Sequence, residues 1–62
     1  MILTIYLLDE NYALADEFTE EFDGVTSCGE RAEDLMLQYD SFGFEIVDDE
    51  GQTLYSTLED LT

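Results

Sequence analysis

Arg31 is the only basic residue in this chain, and it faces seventeen aspartates and glutamates with no lysine and no histidine beside it. Whatever fold forms must hold nearly every carboxylate in water, because burying an unpaired carboxylate costs on the order of several kcal/mol. The formal charge is −16 in 62 residues. Highly charged chains with few aromatics usually stay disordered. This one has four tyrosines, four phenylalanines, no proline and 45% apolar residues. Its apolar positions are also periodic, which argues for a packed core beneath the charge.

A chain of this length makes one domain, residues 1–62. At this size about 60% of the unfolded surface is buried, which leaves little room for a deep cleft. The apolar run ILTIYLL, residues 2–8, ends at Asp9 and has no positive flank, so it is too short for a membrane span and wrong for a signal peptide. The expected location is the cytoplasm. Cys28 stands alone and has no partner in its own chain, in keeping with a reducing compartment.

Along the chain, residues 2–8 read as an interior strand, with Leu3, Ile5 and Leu7 on one side and Ile2, Tyr6 and Leu8 on the other. Asp9 or Asn11 is placed to cap a helix running to about Phe22. Leu14, Ala15, Phe18 and Phe22 would form its buried stripe, Asp16, Glu17, Glu20 and Glu21 its opposite face, and Gly24 its stop. Ser27-Cys28-Gly29-Glu30 matches a capping box and predicts a second helix from Cys28 to Tyr39. That helix would bury Ala32, Leu35, Met36 and Tyr39, turn Glu30, Glu33, Asp34 and Asp40 outward, and leave Leu37 off the stripe. Phe42, Phe44 and Ile46 alternate as a strand, and Asp48-Asp49-Glu50-Gly51 supplies a turn before residues 52–57. Leu58 to Thr62 reads as a short turn or a fraying end. The expected fold is therefore α+β, in the order β-α-α-β-β, a three-stranded sheet with two helices on one face.

The carboxylates invite an enzymatic reading, but general acid and base roles need two acids in unlike environments, and these lie at solvent-facing positions. In Asp48-Asp49-Glu50-Gly51 the glycine arrives at the fourth place, whereas a calcium-binding loop has it at the sixth, so the segment fits a hairpin turn better than a loose divalent-ion site. Zinc sites and nucleophilic catalysis lack the necessary histidines. The chain is thus expected to be no enzyme and to need no metal or cofactor. Nucleic acid and anionic membranes are excluded as direct partners by the sign of the charge.

The charge itself remains to be explained. On a helix, like-charge pairs such as Asp16–Glu20 and Glu17–Glu21 each oppose folding by about 0.2–0.5 kcal/mol. Solubility asks for a net charge of only about 2 to 8. Sixteen net charges equal those of about eight base pairs of duplex, and helix neighbours about 5–6 Å apart approach the spacing of successive phosphates. A cationic groove built for nucleic acid would draw in such a surface.

A small, lysine-free, acid-studded α+β chain with acids along ADEFTEEFDG and AEDLMLQYD resembles the phage and mobile-element DNA mimics, the anti-CRISPR and antirestriction proteins. The likeness covers charge, size and layout over the whole chain and involves no diagnostic motif. It implies an inhibitor that occupies the nucleic-acid-binding site of a CRISPR effector, such as a surveillance complex or Cas nuclease, or of a restriction enzyme, in the host cytoplasm. The partner-binding residues it implies are Asp16, Glu17, Glu20, Glu21, Asp23, Glu30, Glu33 and Asp34. Two alternatives stand beside it. An acidic interaction module for another basic protein should expose an apolar patch, and a salt-adapted domain should spread its acids evenly. Tyr12 and Tyr55 are the aromatics left over for a partner.

Overall fold

The computed structural model describes residues 1–57, and Leu58 to Thr62 lie outside them. Its elements are β1 (Ile2–Leu8), β2 (Leu14–Glu21), α1 (Val25–Tyr39), β3 (Gly43–Asp48) and β4 (Thr53–Ser56). The four strands form one antiparallel sheet in the order β2-β1-β3-β4. Because β2 and β3 both run opposite to β1, they are parallel to each other. Helix α1 joins them as a split β-α-β unit, and β4 returns as a hairpin. The class is α+β, but the order is β-β-α-β-β. This corrects the expectation of three strands and two helices.

The correction falls on residues 14–21, which form a strand. Leu14, Ala15, Phe18 and Phe22 fit a helical stripe, yet Leu14 is 58% exposed and Ala15 is the extra residue of a bulge opposite Leu7 and Leu8. The stronger demand comes from β1, which is apolar on both sides and gains a ladder on each edge once β2 pairs with it. In the strand, Asp16 and Glu20 stand roughly 14 Å apart at about 3.4 Å per residue, which removes the like-charge crowding a helix would impose. The proposed helix cap is instead a hairpin loop: Asp9 Oδ1 accepts the amides of Asn11 (2.8 Å) and Ala13 (2.9 Å), and the Asp9 amide donates to the Ala13 carbonyl.

Helix α1 also starts earlier than the capping box predicts. Gly24 is its N-cap, with no side-chain hydrogen bond, and Ser27 falls within the first turn, too far in to cap it. Gly24 thus opens a helix where it was expected to close one. The core lies between α1 and the sheet: Leu3, Ile5 and Leu7 from β1, Phe44 and Ile46 from β3, and Cys28, Ala32 and Leu35 from α1, flanked by Phe18, Phe22 and Met36. Each fully buried aliphatic side chain contributes about 1.5–3 kcal/mol. Tyr39, expected to be buried, is about half exposed and packs its ring 5.5 Å from that of Phe18. Leu37 projects into water as its position off the stripe predicts.

The hairpin between β3 and β4 forms at Asp48–Gly51 as expected. Asp48 Oδ1 accepts the amides of Glu50 (3.0 Å) and Gln52 (2.8 Å), and Gly51 takes the left-handed conformation at φ 85°. Gly43 is required for closeness: a Cβ there would meet Thr57 Oγ1 at 2.6 Å, and that hydroxyl accepts the Phe44 amide and donates to the Phe44 carbonyl.

Candidate partner-binding surface

The residues expected to bind a partner fall into two groups. Asp16, Glu17, Glu20 and Glu21 all lie on β2, an edge strand, and Asp23 continues from it in the turn to α1. Pairing with β1 fixes their directions. Asp16 and Glu20 lie opposite Leu7 and Leu3 and share the helix side of the sheet, whereas Glu17 and Glu21 lie opposite Tyr6 and Ile2 on the open side. The acids expected to form one helical face thus line both sides of a thin edge, and Phe18, on the helix side between Asp16 and Glu20, packs against the core. Asp34 is exposed on α1, one turn beyond Glu30.

Glu30 and Glu33 form the second group. They rim a groove of about 330 Å³ between α1 and β4, floored by Phe44, Ile46 and Tyr55. Tyr55 stacks on Phe44 with ring centroids 5.3 Å apart. The two groups are therefore on opposite flanks of the helix. Arg31 reaches Glu20 at 3.7 Å, with both side chains nearly half exposed, so this pair contributes about 0–1 kcal/mol and leaves most of the β2 charge uncompensated.

The helix does not use its acids for its own stability. Its first turn holds no acid, where a carboxylate would favour the positive end of the dipole, and its last turn holds no base. Asp40 instead sits at the negative end, in the left-handed conformation at φ 56°.

Four of the exposed apolar side chains lie at one end of the molecule, whereas Met1, Ile2, Val25, Leu37, Leu54 and Tyr55 are exposed elsewhere. Tyr12, Leu14, Tyr39 and Phe42 are each more than 40% exposed there. A hollow of about 240 Å³ at this end is lined by Tyr39 and Phe42 together with Asp9, Asp16 and Asp40. The open face of the sheet carries a second hollow, of about 300 Å³, lined by Tyr6, Leu8, Tyr12, Leu14 and Glu45. Tyr12 was singled out from sequence as a spare aromatic; Tyr6 and Glu45 were not, because only the register that places them side by side gives them significance.

Cys28 is fully buried in the core. Burial first, and the Glu20 carboxylate second, push its thiol pKa above the ordinary value, so it is held as the neutral thiol away from oxidants. Among the described residues no group of three or more His, Cys, Asp or Glu is arranged to hold a metal, and no helix is long and apolar enough to cross a membrane. No protein-family model matches this chain, and neither a curated protein nor a solved structure matches it significantly.

Proposed function

We propose that this protein is a non-catalytic inhibitor that imitates DNA and blocks the nucleic-acid-binding site of a host defence complex, a CRISPR effector or a restriction enzyme, in the cytoplasm of the host. The observation that carries this reading is the asymmetry of the sheet edges: β2 holds four acids in eight residues, while β4, Thr53–Ser56, holds none. Residues 16–21 span roughly 17 Å of strand and carry four carboxylates along it, on average about 6 Å apart and two on each side of the edge, a sparser row than the 3.4 Å axial spacing of phosphates on one DNA strand. Imitation by an edge strand thus takes the place of the helix face expected from sequence. Such a row steers a cationic groove toward it and then occupies the positions of phosphates. A merely salt-adapted surface has no reason to favour one edge.

A second reading, an adaptor for a basic protein that does not handle DNA, draws on the apolar side chains gathered around Tyr12, Leu14, Tyr39 and Phe42. One experiment separates the two. Immobilised protein is exposed to lysate of a bacterium that carries CRISPR effectors and restriction enzymes, then washed with duplex DNA. Inhibition by mimicry predicts capture of a DNA-handling complex that the duplex releases. A basic partner that stays bound in excess duplex would favour the adaptor and overturn the mimic.

A further inference from the structure

Helix α1 covers only one face of the sheet, and on the other face the two registers of β1 line up a row of unlike side chains. Tyr6 is the Cα partner of Glu17 on β2 and of Glu45 on β3, so all three project from the open face side by side. With strands about 4.8 Å apart, the two carboxylate-bearing residues flank Tyr6 at roughly 10 Å from each other. The Ser56 hydroxyl donates to Glu45 Oε1 at 3.0 Å and holds that carboxylate in place. Tyr6 and Glu45 of this row line a hollow walled by Leu8, Tyr12 and Leu14, and Glu17 stands beside it as the cross-strand partner of Tyr6. Tyr12 takes the left-handed conformation at φ 60°, which for a bulky residue costs about 1–2 kcal/mol, and the residue remains 41% exposed.

We propose that this hollow receives an arginine side chain from a basic segment of the partner, with the guanidinium lying over Tyr6 between Glu17 and Glu45. The inference rests on the reading of the protein as a binder of cationic partners and names the residue type the partner supplies. Charge complementarity identifies the occupant: an aromatic floor between two carboxylates, in a molecule of net charge −16, favours a cation. Shape then selects arginine over lysine. A planar guanidinium stacks on a ring while its edges donate to carboxylates on both sides, whereas a lysine ammonium is a compact point charge that does not span the row. Leu8 and Leu14 give the methylene stem an apolar wall.

The test uses peptides, so it stays separate from any effect on DNA binding. Penta-arginine and penta-lysine, both capped, are titrated into the protein while backbone amide shifts are followed by NMR. The arginine peptide should bind about fivefold more tightly than the lysine peptide, with the largest shifts at Tyr6, Leu8, Tyr12 and Glu45. Tyr6→Leu and Glu45→Gln should each erase that preference and leave the general attraction between charges. Tyr12→Asn should weaken the arginine peptide severalfold while the melting temperature holds, since asparagine accepts the left-handed position. This variant decides the matter if Tyr6→Leu fails to fold. Equal affinities with shifts spread over β2 and α1, or an arginine preference that survives both Tyr6→Leu and Tyr12→Asn, would overturn the proposal. An arginine preference in a protein that never competes with duplex DNA would uphold the hollow and refute the mimic; displacement by DNA without the preference would do the reverse.

Discussion

The two edge strands meet the same hazard in different ways. Both present a row of unpaired backbone groups to any passing strand. Strand β4 manages this by being short, four residues with no charge, beside the groove rimmed by Glu30 and Glu33. Strand β2 is eight residues long and carries four acids, two on each side of the sheet, with only Phe18 fastened to the core. Shortness alone protects an edge. The longer edge is guarded by its charges instead, and the proposed cationic partner would give those same charges a second role.

The contrast breaks first if the charge on β2 is neutralised. Combining Asp16→Asn, Glu17→Gln, Glu20→Gln and Glu21→Gln should slow association with the captured partner by about tenfold or more at low salt, as stopped-flow fluorescence would record, because steering depends on clustered charge. Neutralising Asp49 and Glu50 in the far hairpin should change the rate much less. An equal slowing per charge removed from the hairpin would mean that total charge matters and its placement does not.

Stability sharpens the same comparison. Phe18→Ala should cost about 2–4 kcal/mol in urea unfolding and speed hydrogen exchange along β2, since that ring is the strand's main hold on the core. Asp40→Gly should stabilise by about 1 kcal/mol, as it relieves a left-handed aspartate and removes a negative charge from the negative end of α1. Salt should raise the melting temperature of the free protein by screening self-repulsion while it weakens the complex.

The smallest effect concerns pH. Because the folded thiol pKa of Cys28 lies above its unfolded value, the thiol's contribution to stability is fully present below the unfolded pKa and is lost as pH rises through the folded one. Cys28→Ala should therefore flatten the alkaline fall in stability measured by denaturant titration between neutral pH and pH about 10.

Elements with a strong local signature were legible in the sequence. Residues 2–8 are apolar on both sides and became a central strand, and the Asp48–Gly51 turn set the last hairpin. Residues 14–21 carried no such signature. Leu14, Ala15 and Phe18 fit a helical arc, alternation is weak, and the outcome was settled by the ladder to β1, a long-range pairing that no local window contains. Ser27 and Glu30 have the spacing of a capping box, yet the helix opens at Gly24, three residues before Ser27. The acids were visible one by one, but their grouping was not: in a strand, Glu17 and Glu21 turn away from Asp16 and Glu20. The row of Glu17, Tyr6 and Glu45 depends on two registers at once.

The central claim is that β2 is the edge that meets a cationic nucleic-acid site. Amide hydrogen exchange on the protein bound to its captured partner tests this directly, with duplex DNA added in a second arm. The account predicts slowed exchange along residues 16–23, unchanged exchange at Thr53–Ser56, and loss of the protection when duplex is added. Protection confined to β4 and the groove beside it, or protection of β2 that persists in excess duplex, would contradict it.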